Sequence, residues 1–135
     1  MKNLCHSILL IVLIICCSAF LNQSRIPQEL LGKWNLRGSN SKLIGTIEIA
    51  GDGKYSFVVA PNYKESGVLA LNTEREPGEI DLVVRNSAGA NSITQGIYRI
   101  RNNKLELCLG KMNEARPAVF NDDPAHRSIF WLGTK

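Results

Sequence analysis

Apolar and polar residues alternate most regularly over residues 96–109. Asn102 and Asn103 lie in the middle of this stretch, and asparagine tolerates the left-handed backbone that a two-residue hairpin turn requires. The apolar positions on either side follow a two-residue period: Tyr98, Ile100, Leu105, Leu107 and Leu109. The stretch therefore predicts a β-hairpin, whose apolar face must be covered by a larger sheet because an isolated hairpin is marginal in water.

The same period returns along the chain, with turn residues such as those at 51–53 (Gly-Asp-Gly) between the runs. Strand centres or starts are predicted at Trp34, Leu43, Tyr55, Gly67, Ile80, Ile93, Leu105 and Ile129. No stretch after Leu31 has a sustained helical period. We expect an all-β fold, an antiparallel up-and-down barrel of about eight strands, with a two-sheet β-sandwich as the alternative.

This pattern does not decide which face of one run points inward. In residues 67–72, Val68 and Ala70 compete with Leu69 and Leu71 for the core. The last run, residues 129–132, is apolar at every position, which is typical of a strand covered on both faces.

A short helical turn is expected before the first strand, over residues 26–32. Pro27 suits the start of a helix and Gly32 suits its end. Trp34 follows at once, so we interpret it as a plug for the closed end of the barrel. Ordinary core packing predicts the same burial.

The first nineteen residues are typical of a signal peptide. A cationic start precedes an apolar run over residues 8–17, and the small residues Ser18 and Ala19 follow it. The predicted organisation is a signal helix over 1–19, a tether over 20–27 and a barrel domain over 28–135. The protein would then be exported to a periplasmic or extracellular space.

Two alternatives keep the chain at a membrane through this segment alone. The apolar run extends through Leu21, so an uncleaved anchor is one of them. Acylation of Cys16 or Cys17 is the other, although the bulky Ile15 before Cys16 fits a lipidation motif poorly.

Charge and chemistry exclude several classes of function. The chain has 16 Lys and Arg against 12 Asp and Glu, and the basic residues are scattered singly, so no nucleic-acid partner is expected. His126 is the only histidine after the leader, which excludes a histidine-rich metal site. Because no nucleophile motif and no dinucleotide loop is present, we predict no catalytic residue, no metal, no cofactor and no enzyme activity.

Cys108 is the only cysteine that remains after removal of the leader. It is expected either to pack as a small apolar residue beside the hairpin core or to form a disulfide with another chain.

Residues 110–127 form a long connection without a repeating pattern, and such connections in compact domains are often functional. We expect this loop to cover the mouth of the barrel. Inside the barrel, a small apolar ligand would contact Trp34, Tyr55, Phe57, Leu82, Tyr98 and Leu107. The alternative is an interaction or structural domain of the cell envelope, with a solid core and another envelope protein as partner.

Four short motifs carry a resemblance to a known family. In order they are Leu31-Gly32-Lys33-Trp34, Gly96-Ile97-Tyr98, Leu105-Glu106-Leu107-Cys108 and Arg116-Pro117-Ala118-Val119-Phe120. From about Gln28 onward the chain resembles the uncharacterised small-domain family expanded in Planctomycetes, which is regarded as lipocalin-like. The resemblance implies a bacterial, exported, lipocalin-like barrel and no catalytic residues.

Overall fold

The computed structural model describes residues 25–39, 42–125 and 128–135. The predicted signal helix and most of the tether lie outside these residues. A 3₁₀ helix at Gln28–Leu30 is followed by β1 (Gly32–Gly38), β2 (Ile44–Ile49), β3 (Lys54–Val59), β4 (Tyr63–Asn72), β5 (Gly78–Arg85), β6 (Asn91–Arg101), β7 (Lys104–Leu109) and β8 (Ile129–Thr134). In the described ranges, no helix has the length and apolar character of a membrane span.

The eight strands form one closed barrel. Each strand pairs antiparallel with the next, and β8 pairs with β1, as at Gly38 and Trp131. The prediction of an all-β, eight-stranded antiparallel barrel is therefore confirmed, and a two-sheet sandwich is excluded because a sandwich would leave β1 and β8 unpaired.

The predicted hairpin is β6 and β7. Tyr98 lies opposite Leu107 and Ile100 lies opposite Leu105, so the apolar residues of the two arms share the inward face. Asn102 and Asn103 have φ angles of 51° and 59°. Left-handed backbone at both central residues is the geometry in which a two-residue turn matches the twist of the strands.

A tryptophan fills the end of the barrel at which β1 begins, which we call the closed end. Trp34 is 1% exposed, and its indole Nε1 donates a hydrogen bond of 2.9 Å to the carbonyl oxygen of Leu30. The Nζ of Lys135 lies 4.6 Å from the centre of the Trp34 ring and donates to the carbonyl oxygen of Glu29 at 3.0 Å. The 3₁₀ helix, Trp34 and the last residue of the chain thus close this end together.

Strand β4 settles the choice that the sequence left open. Leu69 and Leu71 pack against the core, whereas Val68 is 49% exposed on the outer face. A Cβ atom at Gly67 would lie 2.0 Å from the carbonyl oxygen of Val83 on β5, so only glycine allows the two backbones to approach this closely. The strand begins at Tyr63, earlier than predicted.

Residues 110–127, the outer loop, follow β7 at the opposite end of the barrel, which we call the mouth, and the structure describes them as far as residue 125. Phe120 packs on Phe130 of β8 with ring centres 5.9 Å apart, and the guanidinium of Arg99 lies 4.3 Å from the centre of the Phe120 ring. Asp122 accepts hydrogen bonds from the Phe130 amide at 2.8 Å and the Ser39 hydroxyl at 3.0 Å. Side-chain contacts thus hold this part of the loop against the outer wall, while Gly110 and Met112 at its start line the interior at the mouth. Whether the loop acts as a lid stays a prediction.

Arg116 fastens the outer loop to β5 and β6. Its Nη1 donates to the carbonyl oxygen of Gly96 at 2.6 Å, and its Nη2 lies 2.8 Å from Oδ1 of Asp81. Beneath the loop, Cys108 is 0% exposed and its Sγ donates a 3.4 Å hydrogen bond to the carbonyl oxygen of Asn121. Burial raises the pKa of the Cys108 thiol. These contacts fit the interpretation of Cys108 as a packed thiol.

Candidate functional site

The mouth half of the barrel contains an apolar cavity of about 280 Å³, which we call the cup. Its apolar wall is formed by inward side chains from strands on several sides of the barrel, among them Phe57, Val59, Leu82, Leu109, Ile129 and Trp131. Tyr63 and Met112 stand at its rim, where they are 47% and 39% exposed. Solvent therefore reaches the cup from the mouth, and a small molecule has a way in.

The closed half of the barrel is filled instead. Trp34 and Leu107 are 1% and 0% exposed and do not line the cup. The ring of Tyr98 covers Gly78, its cross-strand neighbour, so closely that a Cβ there would lie 2.6 Å from the ring. The interior is thus divided into a packed half and an open half.

This division separates the six residues predicted to contact a ligand. Phe57 and Leu82 line the cup, and Tyr55 lies beside it through its hydroxyl group. Trp34, Tyr98 and Leu107 belong to the packed core of the closed half. A direct ligand contact by any of the six stays a prediction.

One acidic side chain projects from β4 into the cup. Glu65 is 9% exposed, and its two carboxylate oxygens accept hydrogen bonds from two tyrosines. Tyr55 donates to Oε1 at 2.6 Å and Tyr63 donates to Oε2 at 2.5 Å. The side chain of Glu65 is thus held between two strands, by Tyr55 of β3 and by Tyr63 of its own strand.

The same contacts hold the two phenols in their neutral form. Burial, followed by the hydrogen bond to Glu65, raises the pKa of Tyr63 to about 12. The pKa of Tyr55 is raised further by the same two causes in the same order. Both hydroxyl groups therefore remain donors to the carboxylate at neutral pH.

Glu65 has no basic neighbour among the described residues that line the cup, which include no lysine, arginine or histidine. In the described part of the chain, the ion pairs lie elsewhere, as between Arg116 and Asp81 on the outer wall. Among its described lining residues, the cup therefore combines an apolar wall with one carboxyl group, to which two neutral tyrosines donate.

Three aromatic rings line the cup together with this carboxylate. The ring of Phe57 meets the ring of Trp131 edge to face, with centres 5.8 Å apart, and meets that of Tyr63 in the same way at 6.1 Å. Phe57 lies directly opposite Glu65 in the pairing of β3 with β4. Edge-to-face packing fixes the orientation of all three rings around the acidic group.

No group of three or more metal-ligating side chains occurs in the described ranges. Comparison of the chain with family models, with curated proteins and with solved structures found no match.

Proposed function

We propose that this protein is an exported binding protein whose barrel holds one small apolar molecule in the cup. The observation that supports this most directly is the apolar cavity of about 280 Å³ open at the mouth. Pockets for small molecules are mostly apolar, with a few polar groups placed to orient the ligand. The cup has this composition, with Glu65 and its two tyrosines as the polar group.

The size of the cup limits its occupant to a small molecule. An engineered protein cavity of about 150 Å³ stays dry and binds benzene. The cup, at about 280 Å³, is nearly twice as large. A ligand of one ring with a short chain, or of two small rings, would fill it, whereas a long lipid would project through the mouth.

The proposal of export rests on the signal-like segment over residues 1–19. The resemblance to the lipocalin-like family expanded in Planctomycetes agrees with it and stays part of the proposal. In that setting the protein would meet small molecules outside the cytoplasm. A second envelope protein as partner remains the alternative use of the same barrel.

Butylbenzene, a one-ring hydrocarbon with a short chain, tests the binding proposal. It should raise the melting temperature of the purified domain, since a ligand that binds only the folded state stabilises it by RT ln(1 + [L]/Kd), or about 2.7 kcal/mol at one hundred times Kd. Isothermal titration calorimetry should give one site per chain with a negative heat-capacity change.

A filled cup supplies the control. Thr94 lies on the inner wall opposite Leu82, so Thr94→Phe should occupy the cavity and abolish butylbenzene binding. Thr46→Phe places the same ring on the outer face of β2 and should leave binding intact. The proposal fails if both variants bind butylbenzene equally well, or if neither butylbenzene nor a polar derivative of it binds the unsubstituted domain.

A further inference from the structure

We propose that the ligand of the cup is a cationic amine with a small apolar body, whose ammonium group contacts Glu65. This inference rests on the proposed function and deepens it by naming the chemical class of the ligand. Its basis is the combination of a buried carboxylate, an aromatic wall and the absence of basic side chains from the described lining of the cup.

The first argument is the cost of the buried charge. A carboxylate removed from water is stabilised either by a cation or by several hydrogen bonds, and burial without them is expensive. Glu65 receives one hydroxyl donor on each oxygen, from Tyr55 and Tyr63. A carboxylate offers about four acceptor sites, so each oxygen retains room for another donor.

The second argument is the chemistry of the wall. Cations are attracted to the faces of aromatic rings within about 6 Å of the ring centre, most strongly to tryptophan. Trp131, Phe57 and Tyr63 all line the cup in which Glu65 lies. A ligand ammonium there would meet a negative charge and aromatic surface together, while an anionic ligand would be repelled by Glu65.

The third argument concerns the two tyrosines. They already donate to Glu65, and their raised pKa values keep the hydroxyl protons in place. A ligand carboxylate would therefore find no free positive charge among the described cup residues. An ammonium group supplies three donors and needs no rearrangement of the tyrosines.

Four probes with one hydrocarbon body test the inference: phenylbutylamine, phenylbutanol, phenylbutyrate and butylbenzene. The dissociation constant of each is measured by calorimetry at neutral pH, where the amine is protonated. A hydrogen bond to a charged group is worth more than one to a neutral group, so we expect the amine to bind about ten to one hundred times more tightly than the alcohol. Phenylbutyrate should bind most weakly.

Glu65→Gln removes the charge while keeping the shape of the side chain. In this variant the preference for amine over alcohol should fall to within about threefold, because the amide attracts the ammonium little more than it attracts a hydroxyl. Butylbenzene affinity should change little. Glu48→Gln is the matched control, since Glu48 is exposed on the outer face of β2 and its loss should leave the preference unchanged.

The outcomes separate this inference from the binding proposal. If butylbenzene and the alcohol bind as tightly as the amine, the cup binds apolar molecules and the inference about the ammonium group is wrong. The inference is equally wrong if Glu65→Gln keeps the preference for the amine. If no probe binds, both proposals fall. Should Glu65→Gln not fold, the ranking of the four probes on the unsubstituted chain decides the matter alone.

Discussion

The indole nitrogen of Trp34 and the carbonyl oxygen of Leu30, four residues earlier, form a 2.9 Å hydrogen bond inside the barrel. The bond satisfies the polar atom of a side chain that is 1% exposed and fixes the 3₁₀ helix against the barrel. A buried tryptophan normally needs such a partner, since its N–H is costly to bury alone. At the closed end, this one side chain therefore both fills the interior and forms the hydrogen bond that holds the 3₁₀ helix against the barrel.

Replacement of Trp34 should measurably destabilise the domain. We expect Trp34→Ala to lower the free energy of unfolding by about 3–5 kcal/mol, the usual cost of deleting a large buried aromatic side chain. Trp34→Phe keeps much of the volume but leaves the Leu30 carbonyl without its donor, so the free energy of unfolding should fall by about 1–3 kcal/mol. Denaturant unfolding measures both.

Val119→Ala is the control for this series, because Val119 is 57% exposed and its truncation should cost less than about 0.5 kcal/mol. A loss below about 1 kcal/mol for Trp34→Ala would show that the closed end is not held by this residue.

The attachment of the outer loop makes a second prediction. Arg116→Ala removes the contacts to Gly96 and Asp81 and leaves the Asp81 carboxylate without this cation, so unfolding free energy should fall by about 2–3 kcal/mol. Arg116→Lys should recover only part of the loss, because a lysine cannot reproduce the planar fork of donors.

The reactivity of the Cys108 thiol gives a separate measure of whether the outer loop is held in place. It is buried beneath Asn121 and its pKa is raised, so the native protein should react slowly with a thiol reagent. Arg116→Ala should speed the reaction, whereas Arg75→Ala, at an exposed position, should not. Unchanged reactivity in Arg116→Ala would mean that Arg116 does not hold the loop in place.

The tyrosines predict how stability depends on alkaline pH. The folded-state pKa of Tyr63 is about 12, against an ordinary 10.0, and those of Tyr55 and Tyr98 are also raised. The folded state therefore holds these protons more tightly than the unfolded state does. Their contribution to stability is full below about pH 10 and is lost as the pH rises toward about 12.

Two measurements test this. Phenolate absorbance of the folded protein should not change near pH 10, because all 3 tyrosines of the chain have raised pKa values. The free energy of unfolding should fall with pH above about 10, and the slope should be shallower when Tyr55 and Tyr63 are both replaced by Phe. Titration of Tyr55 or Tyr63 at its ordinary pKa in the folded state would contradict the hydrogen-bonded geometry around Glu65.

The leader gives a prediction for the protein in its own host. Cleavage after Ala19 should produce a mature chain that begins at Phe20 and is found outside the cytoplasm. N-terminal sequencing and intact mass of the exported material measure this. A chain that begins at an acylated Cys16 or Cys17 would indicate a lipoprotein, and an intact Met1 in the membrane fraction would indicate an anchor.

The barrel could be predicted from the sequence because its signals are local. Alternation places Ile80 and Leu82 on one face within a single strand, and Asn102 with Asn103 specifies a hairpin without help from distant residues. Closure followed from the number of strands, since a sheet of this size can bury its apolar face by curling on itself.

The site was harder to predict because it breaks the pattern that reveals a strand. The predicted run covered only residues 67–72, so the first part of β4, which begins at Tyr63, was missed together with Glu65. A signal was present: Tyr63, Glu65, Gly67 and Leu69 continue the two-residue period inward. If the two-residue period had been followed across the charged residue Glu65, its carboxylate would have been predicted to lie inside the barrel.

The position of the outer loop could not be inferred from its own sequence. It depends on contacts between residues far apart in the chain, such as Arg116 with Asp81 and Asp122 with Ser39. The length of the loop showed only that residues 110–127 are unusual for a compact domain. A loop of this length can lie on the outer wall as well as over the mouth.

The contact between Lys135 and Glu29 places both ends of the described chain beside the plugged floor of the barrel. Arg25 lies there too, next to the β2–β3 turn at Gly51 and Gly53. Arg25 and Lys135 therefore both lie on the side of the barrel opposite the cup. A reporter or affinity tag fused after Lys135, or in place of the residues before Arg25, would therefore be attached away from the opening of the cup.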